Sequence, residues 1–208
     1  MSEAAFCTVA ATAEAELEEK RSVFIAVAKR VSEEAEAEAF VKERRRAHPD
    51  ARHTVFAYLL RKGTARYSDD AEPQGTAGMP VLEAIRRAGL TDTVVVVTRY
   101  FGGILLGAGG LTRAYAGAAN LALAKAGVAE YVPFAEYEAQ CSYADHQKLT
   151  KELERAGARV HGTVFEAGVT VRFGVKKEEG EALLRRLTDL TAGRAELCAL
   201  GESMGLKF

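Results

Sequence analysis

The sequence predicts an α+β protein of two domains, and three observations lead there. A continuous apolar run, Val94 to Val97, passes into five glycines within nine positions (Gly102, Gly103, Gly107, Gly109 and Gly110). An alanine-rich run with helical character, Leu111 to Ala126, follows, so the order reads strand, glycine loop, helix. After Lys125 the composition changes at Tyr131-Val-Pro-Phe134, and the remainder reads βαββαβ, the split-βαβ or ferredoxin-like order. The domains expected are therefore 1–132, carrying the glycine-rich motif, and 133–208.

Composition narrows the class. Of the 208 residues 48% are apolar and 27% charged, which is ordinary for a folded protein and argues against disorder. The formal net charge of −1 gives no global basic field of the kind that binds DNA without specificity. Three cysteines, Cys7, Cys141 and Cys198, are few, odd in number and far apart. They point to a reducing compartment and away from a disulfide framework or a Cys-type zinc site. No basic segment leads into an apolar one at the N-terminus, and no run reaches bilayer-spanning length, so the expected location is the cytoplasm, without a membrane partner.

In chain order, an alanine- and glutamate-rich start is followed by a strand from Ser22 to Ala28. Ser32 opens a helix with Glu33, Glu34, Glu36 and Glu38 in its first half, Arg44, Arg45 and Arg46 in its last turn, and Pro49 beyond. Acid at the start and base at the end complement the helix dipole. Residues 41–66 hold eight Lys/Arg against two Asp/Glu, a local excess of +6 that reads first as a solvated helix end and second as a patch for a polyanion. His53 to Leu60 reads as a buried strand closed by a turn at Gly63, with His53 as its cap or, less simply, a catalytic group.

Tyr67 to Pro80 is polar, with two prolines, two glycines and three carboxylates (Asp69, Asp70 and Glu72), and is expected to be irregular and functional. The carboxylates are suited to hold Mg²⁺ or Ca²⁺, to cap the following helix, or to pair with Arg99 and Arg113. Pro80 reads as an early residue of a helix that continues through Val81 to Ala88 with Gly89 beyond its end, and Asp92 leads into the strand Val94–Arg99. In the second domain, Glu136–Tyr143 is expected to be a strand and Asp145 to cap a helix ending at Gly157. Strands Ala158–Phe165 and Val169–Val175 meet at Ala167-Gly168, a helix runs from Lys177 to Thr191, and the last strand covers Ala195–Leu200. The exposed sheet face of such a fold can bind RNA, but no strand carries the paired aromatics of an RNA-recognition sheet. This half reads most simply as an interaction or regulatory module.

The glycine stretch is not a dinucleotide fingerprint, because no acidic residue follows about twenty positions on, and it lacks the Lys-Ser/Thr end of a P-loop. The glycines suit either a tight strand-to-helix crossing in which backbones pack closely or, as bare amides at a helix N-terminus flanked by Arg99, Tyr100 and Arg113, a site for a phosphate or an acidic partner. No nucleophile sits beside a positioned base; Ser68 next to Asp69 and Asp70 is not such a pair. No motif specifies a cofactor.

Two long segments, Ser68-Asp-Asp-Ala-Glu-Pro-Gln-Gly-Thr-Ala-Gly-Met-Pro80 and Thr98-Arg-Tyr-Phe-Gly-Gly-Ile-Leu-Leu-Gly-Ala-Gly-Gly-Leu-Thr-Arg-Ala-Tyr115, closely resemble the YigZ/IMPACT family. Lys20-Arg-Ser-Val-Phe-Ile-Ala26 and His53-Thr-Val-Phe-Ala-Tyr58 resemble it too, so that essentially the whole chain is covered. Two positions depart from the pattern: Ala71 stands where a glycine is expected after the paired aspartates, and Gln74 where a small residue such as serine is expected. The resemblance implies an N-terminal domain of the ribosomal protein S5 domain 2-like fold and a C-terminal domain like the last domain of elongation factor G. It also implies a link to translation. The eukaryotic relatives make that link, through a partner of the Gcn2 kinase, with an additional RWD domain that this sequence lacks.

Three functions are thus expected to compete. The first is a non-enzymatic module that contacts RNA or the ribosome through Arg99, Arg113, the Gly102–Gly110 loop and the basic set Arg44, Arg45, Arg46 and Arg52. The second is a nucleotide- or phosphometabolite-binding protein or enzyme using the glycine loop and Asp69, Asp70 and Glu72 with Mg²⁺. The third is a protein–protein adaptor that docks through the ferredoxin-like sheet.

Overall fold

The computed structural model describes residues 4–207. They form two compact units, one of Phe6–Glu130 and one from Tyr131 onward that also takes in the described residues before Phe6.

The N-terminal unit is built on a five-stranded sheet. Its strands are β2 (Ala13–Glu19), β3 (Ser22–Arg30), β4 (His53–Leu59), β5 (Ala65–Ser68) and β6 (Thr93–Tyr100), after a short β1 (Phe6–Val9). Their order is β2-β3-β6-β4-β5, and every neighbouring pair is antiparallel. Helix α1 (Glu34–Ala47) covers one face, where Ala37, Phe40 and Val41 meet Val27, Val31, Tyr58, Val94 and Val96. Helices α2 (Gly78–Arg87) and α3 (Gly107–Ala126) cover the other, where Val81, Ile85, Tyr115 and Ala118 join Phe24, Val55, Val95 and Val97. Antiparallel strands usually alternate because one face meets water. β6 does not alternate because helices cover both of its faces, which is why Val94 to Val97 is continuously apolar.

The glutamate-rich start, given no element from sequence, contains β2. Ala13, Ala15 and Leu17 pack on the α3 side while Glu14, Glu16 and Glu18 face solvent. Period-two alternation places that strand, despite residues of poor β propensity. Tyr67 and Ser68, expected to be irregular, end β5, and α2 begins at Gly78, which makes Pro80 an early helix residue as expected.

The C-terminal unit contains β7 (Val128–Cys141), α4 (Tyr143–Arg155), β8 (Arg159–Phe165), β9 (Val169–Lys176), α5 (Lys177–Leu190) and β10 (Glu196–Leu206), with the first residues of β7 belonging to the N-terminal unit. The strand order β10-β7-β9-β8, antiparallel throughout, is the fourth-first-third-second order of the ferredoxin-like fold. Leu149, Leu153, Leu183 and Leu187 of the two helices meet Val169, Val171, Phe173 and Val175 in its core. Pro133 lies within β7, opposite Met204 of β10, while pairing with β9 starts only at Phe134. A proline that owes no amide to a second neighbour is tolerated in a strand. Ser142, not Asp145, is the cap of α4: its Oγ accepts from the Asp145 amide and donates to the Asp145 carboxylate. β10 runs past the expected Leu200 to Leu206 by way of a bulge between Ala199 and Gly201.

The three cysteines are free thiols, and burial raises the pKa of Cys141. No helix among the described residues is long and apolar enough to cross a membrane.

Candidate functional site

Antiparallel pairing brings four strand ends to one end of the N-terminal sheet. The register sets Val23 opposite Tyr100, His53 opposite Arg99, and Phe56 opposite Ser68. The start of β3, the start of β4 and the ends of β5 and β6 therefore lie together. These are the four segments that carry the family resemblance. The loops leaving them, 69–77 and 101–106, close over that end.

A buried polar network ties the loops down. The Arg99 guanidinium, 5% exposed as a residue, donates from Nη1 to Glu72 Oε1 at 2.6 Å. The Tyr115 hydroxyl donates to the same oxygen at 2.8 Å. Arg99 Nη2 reaches Ser22 Oγ, which also accepts the Gly102 amide. Burial, and then the Glu72 charge, push the Tyr115 hydroxyl far above its ordinary pKa, so it remains a donor. The Arg99 guanidinium also lies near the rings of Phe24 and Phe101, at 5.4 and 5.6 Å. His53 Nδ1 is 2.6 Å from the Asp70 carbonyl oxygen, which only accepts, so Nδ1 carries the proton. Its Nε2 consequently faces Glu72 Oε1, 3.7 Å away.

The three carboxylates, read from sequence as one cluster, point three ways. Asp69 accepts the amides of Gly75, Ala77 and Gly78, which caps the start of α2. Asp70 accepts the Thr54 amide and pairs with Arg45. Glu72 alone turns inward. Among the described residues no group of three or more His, Cys, Asp or Glu is placed to hold a metal ion. Ser68 accepts the Asp70 amide and shapes the turn. Asp70 and Ala71 have φ of +46° and +65°, so the glycine expected at position 71 would suit a left-handed backbone that alanine adopts at a cost.

The glycine stretch divides likewise. Only Gly102 and Gly103 lie in the loop, with Gly107, Gly109 and Gly110 inside the first turn of α3. A Cβ on Gly102 would come within 2.0 Å of the Arg21 carbonyl carbon, so the β6 exit presses directly on the β2–β3 turn. Gly103 and Gly107 take positive φ on either side of the loop tip. Arg99 and Arg113 do not form a pair of anion-binding arms. Arg99 is buried and balanced by Glu72, whereas Arg113 is exposed on α3. Of the basic set, Arg44 bonds Glu14 and His48 and Arg45 bonds Asp70, leaving Arg46 and Arg52 exposed. Tyr100 is held by His48, whose pKa is lowered by burial and then by the Arg44 charge.

Above the network lies a cleft of about 410 Å³. Its floor includes Glu72, His53 and Arg99, its walls Pro73, Phe101 and Leu111, and its mouth Arg52 and Leu105. Phe101 is 43% and Leu105 83% exposed, with Ile104 beside them also half-exposed. Apolar side chains of this size standing clustered in water mark an interaction surface. Sequence reasoning missed Phe101, Leu105 and Tyr115. The available signal was a pair of large apolar residues, Ile104-Leu105, between glycines that leave them no regular element to pack against.

The comparisons agree with this architecture. The Impact N-terminal domain model matches residues 20–123, and a domain of unknown function, DUF1949, matches 140–194. The chain is 34% identical over 187 residues to the IMPACT family member YigZ of Escherichia coli, covering 88% of this chain and 92% of that one. It is 34% identical over 194 residues to YvyE of Bacillus subtilis, covering 92% and 89%. An IMPACT family member of Thermus thermophilus is 38% identical over 178 residues, covering 84% and 96%. A solved structure described as that of a hypothetical protein superposes with a TM-score of 0.62 at 32% identity, covering 95% of this chain and 98% of that one. The fold is thus mixed α and β in two domains, and the chain belongs to the IMPACT family.

Proposed function

We propose that the protein is a non-enzymatic regulator of translation that contacts RNA or the ribosome through the loop end of its N-terminal sheet. One observation carries the reading: exposed Arg52 lines one cleft with exposed Phe101 and Leu105, and the exposed Lys20 and Arg21 sit at the β2–β3 turn on which Gly102 of the same loop packs. Neither Arg21 nor Arg52 makes an ion pair among the described residues. Free guanidiniums serve phosphates, and a half-exposed aromatic serves an unstacked base, the combination that single-stranded nucleic acid requires. The small-metabolite alternative with Mg²⁺ loses support because two of its three carboxylates are spent on the protein's own backbone.

Co-sedimentation with ribosomes at low and moderate salt tests the reading, with Arg21→Glu/Arg52→Glu as the comparison. Wild-type protein is expected to travel with ribosomal particles at low salt and to release as salt rises, and the double variant to stay at the top. Wild-type protein at the top of the gradient under both conditions would contradict it.

A further inference from the structure

The Glu72 carboxylate is half-used. Its Oε1 takes both Arg99 and Tyr115, while no hydrogen bond reaches Oε2 among the described residues, although Glu72 is 8% exposed. That second oxygen belongs to a residue that lines the cleft, and it is an acceptor open to a ligand's donor. His53 stands on the same floor, with its Nδ1 bound to the Asp70 carbonyl oxygen and its Nε2 turned to Glu72 Oε1. The floor therefore asks a ligand for N–H donors. The walls ask for a flat apolar body, with Phe101 as a stacking face, and Arg52 at the mouth asks for an anion. At about 410 Å³ the cleft falls within the range of small-ligand sites.

We infer that this cleft receives one unstacked nucleotide of a single-stranded RNA, and that its base carries an exocyclic amino group. Adenine, cytosine and guanine present such a donor to Glu72 Oε2. Uracil presents two carbonyls around its single N–H, and these oppose a carboxylate. Phe101 stacks on the base and Arg52 meets the adjoining phosphate. The inference rests on the RNA reading above and adds to it a site, a stoichiometry of one base and a preference.

The test is fluorescence anisotropy of labelled single-stranded octamers of A, C and U, titrated with the full-length chain and with Phe101→Ala and Leu105→Ala. Both residues are exposed, so neither change should disturb folding. Wild type is expected to bind the A and C octamers at least tenfold more tightly than the U octamer. Phe101→Ala is expected to weaken binding to the A octamer by tenfold or more, the size of one lost base–aromatic stack. Equal binding of all three octamers by wild type and by Phe101→Ala would overturn the nucleotide cleft and leave the RNA reading standing. Absence of binding by wild type to every octamer at low salt would overturn both. A Glu72→Gln variant that keeps its fold by circular dichroism and loses the A-over-U preference, without losing all RNA binding, would assign the preference to the carboxylate.

Discussion

Glu72 with Arg99 in the N-terminal unit and Asp145 with Arg194 in the C-terminal unit are both carboxylate–guanidinium pairs, with closest contacts of 2.6 and 2.8 Å. Their surroundings differ. The Arg99 side chain is 6% exposed and the Arg194 side chain 59%. Asp145 uses both oxygens, Oδ1 and Oδ2, on Arg194, and shares Oδ2 with the Ser142 hydroxyl, all in the service of ending a helix neatly. Glu72 gathers residues from β4, β6 and α3 around Oε1, with no hydrogen bond to Oε2 among the described residues. A pair that is fully satisfied at a surface is there for local structure. A pair with both side chains buried, and with Arg99 Nε lacking a partner, carries a desolvation cost that packing alone does not explain.

The largest way to separate the two is to remove the cation from each. Arg99→Met strands the Glu72 charge in the interior and is expected to cost about 3–5 kcal/mol in urea unfolding. Arg194→Met leaves the equally buried Asp145 its Ser142 hydroxyl bond and removes a guanidinium that is itself 59% exposed and that water can replace, so the loss should be smaller. Equal losses would erase the contrast. Tyr115→Phe comes next: removing a buried hydroxyl that donates to a carboxylate should cost about 1.5–3 kcal/mol by the same measurement. A change below about 0.5 kcal/mol would mean that the network holds Glu72 without it.

Acid should find the two units at different pH. Burial of neutral His48, aided by the Arg44 charge, lowers its folded pKa. Its contribution is complete above the unfolded value near 6.5 and is lost as pH falls through the folded value. Arg194 and Ser142 hold the Asp145 carboxyl low, so its contribution is present above about pH 4 and lost only below that. NMR titration of the His48 ring reads the first directly, and a ring titrating at or above its ordinary value would refute the sign. His48→Gln should flatten the stability slope just below pH 6.5 and leave the more acidic slope of the C-terminal unit unchanged. The smallest effect expected is from Ala71→Gly. Relief of the left-handed backbone is offset by a freer unfolded chain, for a net gain of about 0.5 kcal/mol.

The regular parts of the molecule were the legible ones. The split-βαβ order of the second unit came from its hairpin turn at Ala167-Gly168 and its helix ends at Gly157 and Gly193, all local signals. β6 was legible as an apolar run, though not the reason for its continuity. β2 was passed over because alanine and glutamate argue for helix, and only their alternation, read against a covering helix, identifies a strand. The site was legible as a set of segments and illegible as a set of contacts. Asp69, Asp70 and Glu72 are neighbours in sequence, yet two left-handed residues turn them apart, and no spacing rule foretells that. Arg99 and Arg113 bracket the glycines along the chain, but a strand end buries one and a helix face exposes the other. The exposed pair Phe101 and Leu105 gained its meaning only when Glu72 and His53 were found beneath it.

The most direct test of the central claim is amide chemical-shift mapping of the full-length chain with a single-stranded A octamer at low salt. The account predicts shifts concentrated at Arg52, His53, Ala71 to Pro73 and Phe101 to Ala108. Shifts gathered instead on β8 and β9, with the N-terminal loops unmoved, would place RNA recognition on the ferredoxin-like sheet and contradict it.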